Sequence, residues 1–148
     1  MKKTFFWALS LCILSVAACS DDEAPSQGSD NCKISCKVDG TAISVDPANN
    51  CTYLGNSLNI GQTGQDAIQL QVNGITAAGT FDIAEQNTVV VITLSNGKLI
   101  GGISGQIVVN EISNSQASGT FSGTFYDLSD VTQMTTFDVT SGTFSASF

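Results

Sequence analysis

Cys32-Lys33-Ile34-Ser35-Cys36-Lys37-Val38-Asp39-Gly40-Thr41-Ala42-Ile43-Ser44-Val45 is the stretch that decides the fold. Cys32, Ile34, Cys36 and Val38 alternate with Lys33, Ser35 and Lys37, the period of two of a half-buried strand. Asp39-Gly40 supplies two residues that tolerate positive φ, as a two-residue hairpin turn requires. Thr41, Ile43 and Val45 resume the alternation on the return strand, until Pro47-Ala48-Asn49-Asn50 breaks it.

The same grammar continues outward. Tyr53 and Leu54 precede a turn at Gly55-Asn56, after which Leu58 and Ile60 alternate around Asn59. Ile68, Leu70 and Val72 alternate with Gln69 and Gln71 up to Asn73-Gly74. Thr88 to Leu94 is an almost unbroken β-branched run and reads as a central strand, ended by Asn96-Gly97. Ile103, Ile107 and Val109 follow among Gly101, Gly102 and Gly105. Gly119, Phe121, Gly123 and Phe125 then share one face. In the last strand Phe137 and Val139 are odd-numbered, whereas Phe144, Ala146 and Phe148 are even-numbered. A one-residue slip exchanges the faces, so a bulge is predicted near Ser141-Gly142. No helical apolar period occurs after Cys19. The expectation is an all-β chain: a single antiparallel β-sandwich or barrel-like domain of about eight to ten short strands over residues 32–148.

The start of the chain reads differently. Met1-Lys2-Lys3 and the apolar run Thr4 to Ala18 form a secretory signal, too short for a permanent membrane anchor of about 20 residues. Residues 1–18 are therefore expected to be a cleaved helical signal peptide. Val16-Ala17-Ala18-Cys19 resembles a bacterial lipobox, and by that resemblance Cys19 becomes a lipidated N-terminus. Several acyl chains hold a protein to a membrane where one does not. Ser20-Asp21-Asp22-Glu23 resembles the acidic export tag of surface lipoproteins of the Bacteroidota; the alternative is a plain acidic tether. Residues 19–31 make the lipidated cysteine and a flexible spacer. The implied location is the outer membrane, at the cell surface, with the periplasmic face as the alternative.

Composition narrows the function. The chain has five Lys+Arg, thirteen Asp+Glu and no His. Beyond the signal only Lys33, Lys37 and Lys98 remain against all the carboxylates. Nucleic acid is excluded as a partner, because phosphate binding needs a cationic face. Without His the commonest general base and metal ligand are missing, and no cofactor or metal is expected. Three cysteines remain for an oxidising compartment. Cys32 and Cys36 lie about 13 Å apart on one strand, beyond disulfide reach. The hairpin brings Cys32 opposite Pro47, which favours Cys32–Cys51 over Cys36–Cys51 and leaves Cys36 buried.

The carboxylates Asp82, Glu85, Glu111, Asp127 and Asp130 are the only acid–base candidates, and each lies near a turn, where Asp is common for local reasons. Asp127 and Asp130 are also the candidates for weak calcium binding. The three lysines read as solvated surface. Tyr53 and Tyr126 are the aromatic candidates for a sugar platform, Tyr126 pointing outward because it follows core Phe125.

Val38-Asp39-Gly40, Ala78-Gly79-Thr80-Phe81, Ser118-Gly119-Thr120-Phe121-Ser122 and Thr140-Ser141-Gly142-Thr143-Phe144 together resemble a family of small Bacteroidota lipoproteins of unknown function. The resemblance spans Ile34 to Phe148 and implies an all-β fold with no catalytic residue. That family carries a bulky aromatic soon after the first glycine, where this chain has Ala42-Ile43. The expected function is a non-enzymatic, lipid-anchored envelope protein with a binding or structural role. It meets the membrane through its lipid, and its partner is an envelope protein or a glycan. The alternatives are an accessory glycan-binding module of a surface uptake system and a carboxylate-based hydrolase.

Overall fold

The computed structural model describes residues 31–148, apart from Ala84 and Gln133. The signal, Cys19 and the Ser20-Asp21-Asp22-Glu23 tag lie outside the described residues. Ten strands follow one another: β1 (Lys33–Val38), β2 (Thr41–Val45), β3 (Asn50–Leu54), β4 (Ser57–Gly61), β5 (Ala67–Asn73), β6 (Gly79–Asp82), β7 (Thr88–Thr93), β8 (Leu99–Ile112), β9 (Gln116–Asp127) and β10 (Thr136–Ser147). All pairings are antiparallel, in the order β2-β1-β10-β9-β8-β7-β5-β4-β3. The sheet curls into a half-barrel, so that β1 and β2 come against β4 and β5. β6 pairs with the second half of β8, along the edge whose first half holds β7.

The fold class is the expected one, but the strands are not uniformly short. β8 has 14 residues, and β9 and β10 have 12 each. Long strands bend only if their pairing is interrupted, and bulges do this. β10 slips register between Val139 and Gly142, with Ser141 at φ 54°, where the exchange of odd for even parity places it. Val139 before the slip and Phe144 and Ala146 after it all face the core. β8 slips between Gly102 and Ser104, which turns Ile103 outward; it is 37% exposed, against the single alternation that Ile103, Ile107 and Val109 suggested. Gly105 and Gly123 face each other just past this slip. A Cβ on Gly123 would lie 2.0 Å from the Ser104 carbonyl oxygen, so the two backbones touch where side chains would hold them apart.

The interior of the curl is apolar. Phe125, Ile34, Leu58, Ile68, Leu70, Ile92, Ile100 and Ile107 are fully buried there. β7 is interior in strand order, yet its residues alternate: Val90 and Ile92 are buried, while Val89 is 46% exposed. The β-branched run of β7 therefore serves one buried face and one wet face. At the turn before it, Thr88 is buried and its hydroxyl oxygen lies 2.6 Å from the Asp82 carbonyl oxygen and 3.2 Å from that of Glu85.

Cys32 and Cys51 form a disulfide with their Cα atoms 6.2 Å apart. Cys32 precedes β1 and Cys51 lies on β3, so the bond joins strands from opposite ends of the sheet path. Cys36 is buried and free. Burial in apolar surroundings disfavours the thiolate and pushes its pKa up to about 12.

Candidate functional site

The residues singled out for chemistry are mostly occupied by structural work. Asp127 is buried, and its Oδ1 accepts from the Ser129 N–H at 2.9 Å and the Ser129 hydroxyl at 2.7 Å. Its Oδ2 pairs with Lys98 Nζ at 2.9 Å. The Ser129 hydrogen bonds first, and Lys98 second, hold this carboxyl below the usual aspartate range. Asp130 accepts from the Thr132 N–H and hydroxyl on Oδ1 and from the Thr135 N–H on Oδ2. The Thr132 hydroxyl, then the Thr132 and Thr135 backbone amides, lower its pKa. The oxygens that a calcium ion would use are turned toward hydrogen-bond donors.

Lys98 departs from the reading of a freely solvated side chain: besides its ion pair it lies 5.6 Å from the Phe137 ring centre. Glu111 accepts from Gln116 Nε2 across the β8–β9 hairpin. Asp82 and Glu85 are exposed around the turn between β6 and β7. The structure does not gather these five carboxylates into a cleft.

Tyr53 is not a platform. It shares the inward parity of Cys51 and packs against the core edge. Its hydroxyl donates to the Ile75 carbonyl at 2.9 Å, and its ring tilts against Phe148 at 6.1 Å between centres. Tyr126 is half-buried and points outward, opposite Gly101 on β8 and Thr136 on β10. The two tyrosines lie on opposite faces of the sheet, with the strands β4, β5, β7 and β8 between them in its order.

A concave surface with open hydrogen-bonding capacity lies elsewhere, on the outer face of β3, β4, β5 and β7. Register aligns two rows there: Thr52–Asn59–Gln71–Val89 and Asn50–Gly61–Gln69–Val91. The second row continues through Gly101 to Tyr126. Neighbouring strands are about 4.8 Å apart, so side chains along a row reach one another. Gly61 interrupts the row. It sits at φ 141°, where a Cβ would fall 2.0 Å from the Ile68 carbonyl oxygen, so no side chain fits there. The gap is the floor of a hollow of about 160 Å³ walled by Asn50, Asn59, Gln62, Gln69, Gln71 and Val89.

These walls carry no formal charge. Asn59 Nδ2 donates to Ser57 Oγ at 3.3 Å and Gln71 Nε2 donates to Asn73 Oδ1 at 3.0 Å, which fixes both amides with their carbonyl oxygens open. The side-chain amides of Asn50, Gln62 and Gln69 make no hydrogen bond among the described residues. Two other hollows, of about 240 and 260 Å³, are larger. Both are lined by charged side chains, and in them Asp39 accepts from the Asp138 N–H, Lys33 pairs with Asp46, and Ser35 hydrogen-bonds with Thr143.

No family model, no curated protein and no solved structure matches this chain. The site must therefore be read from its own groups. Strand parity already places Asn59, Gln69 and Gln71 on the wet face. Asn50, the last residue of the break in alternation after Val45, is the first residue of β3. The hollow itself depends on register and on the backbone of Gly61, which parity alone does not reveal.

Proposed function

We propose that the protein is a non-catalytic binding module, tethered by lipid on Cys19 to the outer membrane and displayed at the cell surface. The Val16-Ala17-Ala18-Cys19 pattern, the Ser20-Asp21-Asp22-Glu23 segment and the resemblance to small Bacteroidota lipoproteins support the location. One observation carries the binding role: an uncharged hollow is lined by side-chain amides with unspent polar capacity, while Asp127 and Asp130, the most strongly perturbed carboxylates, are held by turn donors. A carboxylate-based glycoside hydrolase needs two carboxyl groups facing across a cleft, and a binding surface needs donors and acceptors without them.

The location is tested by palmitate labelling and fractionation of wild type and Cys19→Ala, with protease treatment of intact and lysed cells. The expected result is label and membrane retention in wild type only, and digestion in intact cells. Digestion only after lysis moves the protein to the periplasmic face. Retention of Cys19→Ala in the membrane overturns the anchor.

A further inference from the structure

We infer that the hollow over Gly61 binds an uncharged polysaccharide, reading one or two sugar units of a chain that lies across β3, β4, β5 and β7; this rests on the binding role proposed above. The chemistry of the walls selects the ligand class. A sugar hydroxyl both donates and accepts a hydrogen bond, and a carboxamide does the same with fixed geometry. Asn50, Asn59, Gln62, Gln69 and Gln71 place five such groups around one gap. Two of them are oriented by their neighbours Ser57 and Asn73 before any ligand arrives, which lowers the ordering cost of binding. Val89, 46% exposed in the same wall, offers an apolar surface for the C–H face of a sugar ring.

Charge excludes the competing ligands. No Lys or Arg lines the hollow, so phosphate, sulfate and uronate groups find no counter-ion. The described residues carry three lysines and an excess of carboxylates, so an anionic polymer is repelled at range. No carboxylate lines the hollow either, so a cation would meet neutral carbonyl oxygens with no negative charge to offset its own. The size also discriminates. At about 160 Å³ the hollow is smaller than the roughly 300–1,000 Å³ of a small-molecule pocket, and it is open to the surface. A groove of this kind holds part of a polymer and leaves the rest of it in solvent.

The test is native gel electrophoresis of the detergent-solubilised full-length protein through gels containing dextran, mannan, arabinoxylan, mixed-linkage β-glucan or polygalacturonate. Expected is retardation by at least one neutral polymer and none by polygalacturonate. Asn59→Ala with Gln71→Ala should weaken the retarding interaction about ten-fold or more, as the loss of two or more neutral hydrogen bonds implies. Gln69→Ala alone, at an exposed position, is the second variant, and matching thermal melts establish that both variants fold. Gln106→Ala, on β8 away from the hollow, should leave the retardation unchanged. A flat response to every neutral polymer overturns the inference. So does retardation that survives the Asn59/Gln71 and Gln69 substitutions, or retardation by polygalacturonate alone. Each of these failures leaves the Cys19→Ala fractionation untouched, so loss of the sugar reading and loss of the anchor are told apart.

Discussion

Removing the Cys32–Cys51 bond gives a magnitude that follows from the chain itself. The cysteines are 19 residues apart. In the chain-entropy description a loop of that length restricts the unfolded state by about 3 kcal/mol at room temperature. The unfolding entropy of a domain this size is near 2 cal/mol/K per residue, so that loss lowers Tm by roughly 12 °C. The perturbation is Cys32→Ala with Cys51→Ala, which avoids placing new hydroxyls at two buried positions. Differential scanning calorimetry and urea unfolding read the outcome. The variant should melt at the temperature of the wild type pre-treated with reductant. Its urea m-value should rise, because an uncrosslinked chain exposes more surface when unfolded. If the double variant melts within about 3 °C of the oxidised protein, the loop-closure argument fails. The sheet would then be closed by packing of β1 and β2 on β4 and β5 alone.

Three further outcomes follow from the same structure. Gly123→Ala, whose Cβ would strike the Ser104 carbonyl, should cost about 3 kcal/mol in urea unfolding; Gly40→Ala, at φ 83° with open space around it, should cost about 1. Equal costs at the two sites would contradict the backbone contact at the β8 bulge. Asp127 and Asp130 titrate lower in the folded protein than in the unfolded chain, so their stabilisation is complete above about pH 4 and drains away as pH falls through their folded pKa values. Asp127→Asn with Asp130→Asn should flatten the fall of Tm between pH 5 and pH 2, as roughly bounded by those values; an unchanged slope would refute it. Cys36, buried with its thiol raised to about 12, should resist iodoacetamide at pH 8 in the native state and react fully in urea. Rapid native labelling would place it at the surface.

Much of the fold is legible along the chain because each strand has one wet face and one dry one. Cys32 to Val45 shows it most plainly, and the exchange of parity between Val139 and Phe144 even locates a bulge. Legibility ends where distant strands decide. Ile103 looks like its neighbours Ile107 and Val109, yet a slip against β9 turns it outward. Lys98 follows a tight turn and reads as solvated, until β9 brings Asp127 to it. Tyr53 was open to correction, since Cys51 two residues earlier shares its face, but only β4 opposite shows which face that is. The amide hollow is half visible: alternation puts Asn59 and Gln71 outside, and the pairing of β3, β4 and β5 makes them one surface.

The disulfide has a mechanical meaning as well. With the lipid anchor proposed on Cys19, tension on the domain would enter through Cys32. β1, the next element, lies between β2 and β10, so the load meets two strand neighbours at once. The Cys32–Cys51 bond also carries part of the tension directly into β3. The span from Cys32 to Cys51 cannot be peeled off like a zip, because its two ends are riveted together. β3 is also one wall of the amide hollow, so under these proposals the point that would bear the pull and the surface that would hold a ligand belong to the same strand.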